Sequence, residues 1–306
     1  MRTLLRPPHL SVVCLSIVAF ISLLIGGTKA DLMAQTQDVV LVGAGDIGQC
    51  GPGALSKPLA TAALIDPIAG MVFVSGDMGY PNGLESDFEK CYAPTWGRFR
   101  SRSIPAPGHH EYIDPNGMGY YNYWGPTAGD PTKGYYSLNY GAWHIIVLNS
   151  ECSDIHLGGC TATSPQGQWL QADLAANPVT CTLAIWHRTL YTSTANLATS
   201  AVQPFWQMLY SAGADLVING HAHNYERFAP QDPNGNLDTA KGLREFIVGT
   251  GGGDLMSFTT VANNSQVRNS NTFGVLKLTL HATSYDWQFL PIAGQTFTDS
   301  GTQACH

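Results

Sequence analysis

Short apolar runs that each stop at a polar, glycine-rich corner recur along the sequence, and they constrain the fold more than any other feature. They occupy Val39–Ala44 and residues 71–74, 104–106, 145–148, 182–185, 215–218 and 245–248. Runs this short and continuous fit buried strands better than helices, which need a longer apolar stripe at a period of 3.6. Helical patterns stand between several of them, at residues 53–65, Pro165–Ala176 and residues 203–212. Strands alternating with helices predict an α/β sheet. Residues 274–291 alternate apolar and polar over two segments, as antiparallel strands do. The expectation is therefore a mixed α/β sandwich. Tyr120–Trp124 and Tyr135–Tyr140 are expected in loops over the sheet, and residues 85–90 on a solvated helix or loop face.

The corners hold most of the Asp and His residues that could carry chemistry. The first ends in Asp46, within Gly45–Asp46–Ile47–Gly48, and the second in Asp77, within Gly76–Asp77–Met78–Gly79–Tyr80. The third ends in Gly108–His109–His110–Glu111. His187 follows the run at 182–185, and Gly220–His221–Ala222–His223 follows the run at 215–218. A Gly-Asp pair after a strand is usually a plain turn, and a lone His there is usually a satisfied core residue. Carboxylates and then histidines, all at strand ends, are what persuade, because active sites of α/β folds gather at carboxyl ends of strands. Asp oxygen and His nitrogen without thiolate suit first-row metals such as Zn, Fe, Mn or Co. A carboxylate between two cations can bridge them, and two metals clamp the oxygens of a phosphoryl group.

This ordered set resembles the calcineurin-like metallophosphoesterases, and the Tyr80 form resembles their purple acid phosphatase branch. The likeness runs through essentially the whole chain after residue 30, and includes 220–227, Gly-His-Ala-His-Asn-Tyr-Glu-Arg. It implies two mixed β-sheets flanked by helices, with the active site at the strand C-terminal ends. It also implies two metal ions, Fe with Zn, Mn or Fe. Asp46, Tyr80 and His223 would hold the first and His187 and His221 the second, with Asp77 bridging both. His110 would sit outside the metals as the catalytic acid or phosphate contact. Three departures from the family pattern involve His109, Ala222 and the pair Arg188–Thr189. His109 replaces an Asn that ligates the second metal, and either ligates through imidazole or points away and weakens that site. Adjacent residues of an extended segment face opposite sides, so His110 is not expected to ligate beside it unless the corner is tight. Ala222 and Arg188–Thr189 change the pocket rim.

The first thirty residues read as a targeting segment. Arg2 and Arg6 precede an apolar run at 10–25, and small residues follow at 26–30. Cleavage there predicts a secreted or extracytoplasmic chain, with residues 31–306 forming one catalytic domain and no stable membrane association. An uncleaved anchor is the alternative, because the run is near the lower spanning limit. Loss of Arg2, Arg6 and Lys29 moves the formal net charge from −7 to −10. An acidic surface argues against long nucleic acid and leaves room for a small phosphorylated substrate, since metals supply local positive charge. Beyond Cys14, six cysteines remain, at 50, 91, 152, 160, 181 and 305. An even number in an exported chain predicts disulfides, and Cys152–Cys160 closes a short loop.

The leading functional expectation is a monoester phosphatase using metal-activated water. Phosphodiester or nucleotide hydrolysis at the same site is a second reading, for which Asn122–Tyr123–Trp124 and Tyr191 would line an aromatic pocket or simply pack. A non-catalytic binding protein on a retired phosphatase fold is a third, with His109 as its mark.

Overall fold

The computed structural model describes residues 37–153 and 158–306. The targeting segment expected at 1–30 lies outside them. Among the described residues, no helix is long and apolar enough to cross a membrane.

Two mixed sheets face each other. In the first, β1 (Val39–Ala44), β2 (Met71–Ser75) and β3 (Ser103–Ala106) run parallel, and β11 (Gly274–Leu280), β12 (Ser284–Pro291) and β13 (Ser300–Ala304) extend it antiparallel from β1. In the second, β5 (Trp143–Val147), β6 (Cys181–Ile185), β7 (Leu216–Asn219) and β9 (Arg244–Val248) run parallel. The antiparallel β4 (Tyr136–Tyr140) closes one edge, and β8 (Tyr225–Phe228) with β10 (Ser265–Asn269) closes the other. The helices are α1 (Ser56–Ile65), α2 (Met118–Trp124), α3 (Pro165–Ala176) and α4 (Gln203–Ser211).

Side-chain alternation explains the layering. On β5, Trp143, Ile145 and Val147 enter the core shared by the two sheets. Ile146 turns the other way, and joins Leu170 of α3 and Phe205, Trp206 and Leu209 of α4 in an outer layer. On β7, Leu216 and Ile218 face inward and Val217 outward. Strands flanked on both faces must be apolar on both, which is why these segments read as continuous runs. Each fully buried Leu, Ile or Val contributes about 1.5–3 kcal/mol of transfer free energy.

The structure corrects several sequence expectations. Residues 118–124 form α2 rather than a loop, and residues 136–140 form the edge strand β4. The 85–90 segment is only partly solvated, because Phe88 is buried against Tyr123 at 4.9 Å between ring centroids. Trp124 is buried in the same core, and Tyr191 packs edge-on against Trp206, so these aromatics serve packing. Glu226 accepts from Ser193 and Ser265, whereas Arg227 holds Asp299.

The six cysteines among the described residues all pair, as Cys50–Cys91, Cys152–Cys160 and Cys181–Cys305. The last bond ties the start of β6 to the residue that follows β13.

Candidate metal centre

Parallel β1, β2, β3, β6 and β7 end on the same side, and their corners bring Asp46, Asp77, His109, His187, His221 and His223 together. Three of these, Asp46, Asp77 and His221, have φ of 58°, 51° and 70°. Non-glycine residues rarely occupy this left-handed region, and those that do concentrate at functional sites. The glycines give the space. A Cβ on Gly108 would lie 2.3 Å from Asp77 Oδ1, and a Cβ on Gly48 would lie 2.2 Å from the Met78 carbonyl oxygen. No side chain fits at Gly48.

The donor atoms form two triangles. His109 Nδ1, His187 Nε2 and Asp77 Oδ2 are 3.0, 3.1 and 3.1 Å apart. Tyr80 Oη, Asp46 Oδ1 and His223 Nε2 are 3.2, 3.1 and 3.2 Å apart. Ligands about 2.0–2.1 Å from a tetrahedral ion stand roughly 3.3 Å from one another, so both triangles have the dimensions of a ligand face. Asp77 lies between them, because its Oδ2 is also 3.4 Å from Tyr80 Oη. His221 shares a potential metal group with His109 and His187, and its Nδ1 is buried with no hydrogen-bond partner. A buried, unpaired nitrogen on a ring that groups with two other potential ligands fits a cation.

Outer contacts fix the tautomers. His187 Nδ1 donates to the Ser75 carbonyl at 2.9 Å, and His223 Nδ1 donates to the Asp254 carbonyl at 2.8 Å. Each Nε2 is thereby left as the inward lone pair, as for metal-binding imidazoles. Glu111 organises the floor. It is fully buried and accepts from the backbone N–H groups of Asp77, Met78, Gly79 and Gly108 at 2.9, 2.8, 3.2 and 2.7 Å.

Without cations the site is electrostatically divided. Burial opposes charge on His187, but Asp77 overrides it and raises the imidazole to about 10. Burial likewise opposes charge on His223, and Asp46 raises it to about 9. His221 is pushed down to about 2 by burial and by His187, and His109 to about 4 by burial, against the pull of Asp77. Burial and then Asp46 and Asp77 push the Tyr80 phenol well above its usual range. A bound cation would reverse that, because a metal is the largest local charge.

His109 and His110 correct one expectation. Residues 109–111 form a tight turn and not an extended segment, so both rings face the same carboxylate. His110 Nε2 nevertheless stands 4.0 Å from Asp77 Oδ2, against 3.1 Å for His109 Nδ1. The His110 ring leans on Tyr80 with centroids 4.3 Å apart, and its Nδ1 donates to the Pro81 carbonyl. At the rim, Arg188 follows His187 and pairs with buried Glu151. Sequence reading had no place for Glu151 and left Glu111 without a role. An acidic residue immediately after a histidine corner was the only signal for Glu111.

No family model matches the chain. Among curated proteins it is similar to purple acid phosphatase 15 of Arabidopsis thaliana, 28% identical over 219 residues, covering 60% of this chain and 40% of that protein. It is also similar to a nucleotide pyrophosphatase/phosphodiesterase of Hordeum vulgare, 27% identical over 286 residues, covering 78% of this chain and 72% of that protein. The chain spans about two fifths of the length of the acid phosphatases it matches. Among solved structures, a purple acid phosphatase from seeds of Lupinus luteus superposes with a TM-score of 0.68 at 21% identity, covering 89% of this chain and 54% of that one. This likeness establishes the metallophosphoesterase fold, with two mixed sheets and flanking helices.

Proposed function

We propose that this chain, similar to the purple acid phosphatases in sequence and in fold, is an exported phosphoesterase that hydrolyses phosphate monoesters at a dinuclear metal centre. The observation that supports this most is Asp77, whose one carboxylate oxygen stands within 3.1–3.4 Å of donors from both triangles. Asp46, Tyr80 and His223 would hold one ion, His109, His187 and His221 the other, and Asp77 both. The donor set of oxygen and imidazole nitrogen suits Fe with Zn, Mn or a second Fe. When bound, such a pair supplies an activated water nucleophile and neutralises phosphoryl oxygens.

The chain's own residues do the rest. The carbonyls of Ser75 and Asp254 keep His187 and His223 in the tautomer that faces inward. Glu111 fixes the Asp77 backbone, and with it the point at which the phosphoryl group is held. His110, tied at Nδ1 to the Pro81 carbonyl, keeps Nε2 toward the cleft, where it donates a proton to the leaving oxygen. The paired cysteines and the apolar segment at 10–25 support export.

The barley relative, named for diester and pyrophosphate substrates, keeps a second reading in view, namely diester hydrolysis at the same centre. Elemental analysis of purified protein with a parallel screen of mono- and diesters separates the two. About two metals per chain and faster monoester turnover, abolished by chelation, are expected. A metal-replete protein that turns over neither class would leave only the binding-protein reading.

A further inference from the structure

We propose that Arg188 is a specificity residue that binds a second anionic group on the substrate, beyond the phosphoryl group held at the metals. This deepens the phosphoesterase reading and rests on it.

The argument begins with how Arg188 is held. Its backbone is locked: the N–H donates to Ser150 Oγ at 3.0 Å, and the carbonyl accepts from Trp186 Nε1 at 2.7 Å. Its guanidinium is forked onto one carboxylate, with Nε 2.9 Å from both Glu151 oxygens and Nη2 2.8 Å from Oε2. The Glu151 side chain is 1% exposed and that of Arg188 31% exposed. Burying a carboxylate is costly unless it is paired, so a structural role alone would suit an arginine buried equally deep. Here the carboxylate is submerged, whereas the guanidinium, on the residue that follows His187, is partly exposed. Asn149 and Tyr112 continue this polar wall, since Asn149 Oδ1 accepts from the Glu151 N–H and Asn149 Nδ2 donates to Tyr112 Oη. Tyr112 directly follows the His109–Glu111 turn, so the wall borders the metal cluster.

Two consequences follow. With Nε and Nη2 tied to Glu151, the guanidinium cannot swing inward to take part in the metal cluster. Its remaining edge, Nη1, has no hydrogen bond to any described residue, and on a side chain 31% exposed it is free to donate to an anion that reaches past His187. Planar guanidinium pairs with phosphate or carboxylate oxygens by charge-assisted hydrogen bonds. The favoured substrates are therefore phosphoric esters or anhydrides with a second phosphate or carboxylate.

Calorimetric titration of the zinc-loaded protein with inorganic pyrophosphate and with inorganic phosphate tests this independently of turnover. Arg188→Gln in a Glu151→Gln background leaves no buried carboxylate unpaired and guards against misfolding; Arg188→Ala is the simpler companion. Relative to the wild type and to Glu151→Gln alone, the Arg188 substitutions should raise the Kd for pyrophosphate about tenfold or more. The Kd for phosphate should change less than about threefold. Equal weakening of both ligands would place Arg188 on the metal-held phosphoryl group, and no weakening of either would deny it any contact. Both outcomes overturn the proposal. A wild type that binds both ligands but hydrolyses no ester would instead overturn the phosphoesterase reading, and the contrast in Kd would still decide Arg188.

Discussion

Glu111 Oε2 accepts the backbone N–H of Asp77 at 2.9 Å, so one buried carboxylate fixes the backbone of another that stands between the two donor triangles. The same oxygen accepts from Gly108, and Oε1 accepts from Met78 and Gly79, which joins the β2 and β3 corners. Replacing Glu111 with Ala would leave these donors buried without partners, at about 1–3 kcal/mol each before relaxation. A loss of roughly 3–5 kcal/mol is expected in urea unfolding. Glu111→Gln should also destabilise, because whichever oxygen becomes an amide turns donors onto donors. In both variants, metal retained after dialysis should fall with stability. Unchanged stability in Glu111→Ala would show that these bonds are not what holds the corners together.

Glu245 on β9 predicts a pH dependence unrelated to the metals. It is fully buried, and burial and then Glu226 push its carboxyl well above the ordinary value, only partly offset by a hydrogen bond from the Tyr191 backbone. The folded protein thus keeps a proton that the unfolded chain releases above about pH 4.5. Stability from this group falls as pH rises from there toward the folded value, by up to about 1.4 kcal/mol per unit. Glu245→Gln cannot ionise. Its stability relative to the wild type should therefore climb between pH 5 and pH 7 in urea titrations of metal-free protein. A difference that stays flat across that range would mean the acid ionises normally.

The disulfides should rank by the loops they close. The bonded cysteines are 124 residues apart for Cys181–Cys305, 41 for Cys50–Cys91 and 8 for Cys152–Cys160. Chain entropy alone assigns them about 5, 4 and 2.5 kcal/mol. Paired Cys→Ser variants, compared by thermal unfolding, should lose stability in that order. A larger loss at Cys152–Cys160 than at Cys181–Cys305 would mean that native packing, and not loop closure, sets their value.

Much of the site was legible in sequence because its residues stand where buried strands stop. An apolar run has a visible end, and Asp46, Asp77, His187 and His221 lie within two residues of one. Parallel pairing then brings those ends to one side. What stayed hidden depends on contacts across long separations. Arg188 meets Glu151 from 37 residues away, and Glu245 is a charged residue on a strand buried on both faces. Neither spacing nor composition carries such information. β4 was misjudged because Tyr136, Leu138 and Tyr140 are only half-buried at a sheet edge, and their aromatic content resembles a packing loop. The left-handed backbone of Asp46, Asp77 and His221 was equally invisible, since a preceding glycine permits a turn without dictating its hand.

The last prediction separates His109 from His110, which share a turn and face one carboxylate. His109 Nδ1 lies 3.0 Å from His187 Nε2 and completes a triangle with Asp77, whereas His110 Nε2 stands 4.0 Å from Asp77 Oδ2 and its other nitrogen is held by Pro81. His109→Ala should lower occupancy of the second metal, and added zinc should partly restore activity. His109→Asn offers a neutral amide oxygen at the same corner and should retain substantial activity. His110→Ala should keep metal content near two and lower kcat by roughly 10²–10⁴-fold, as expected for loss of a general acid. That deficit should shrink for esters whose leaving groups are already acidic, because they need little protonation. Elemental analysis beside a leaving-group series reads both roles in one set of proteins. Loss of a metal in His110→Ala, with His109→Ala still fully loaded, would exchange the two assignments.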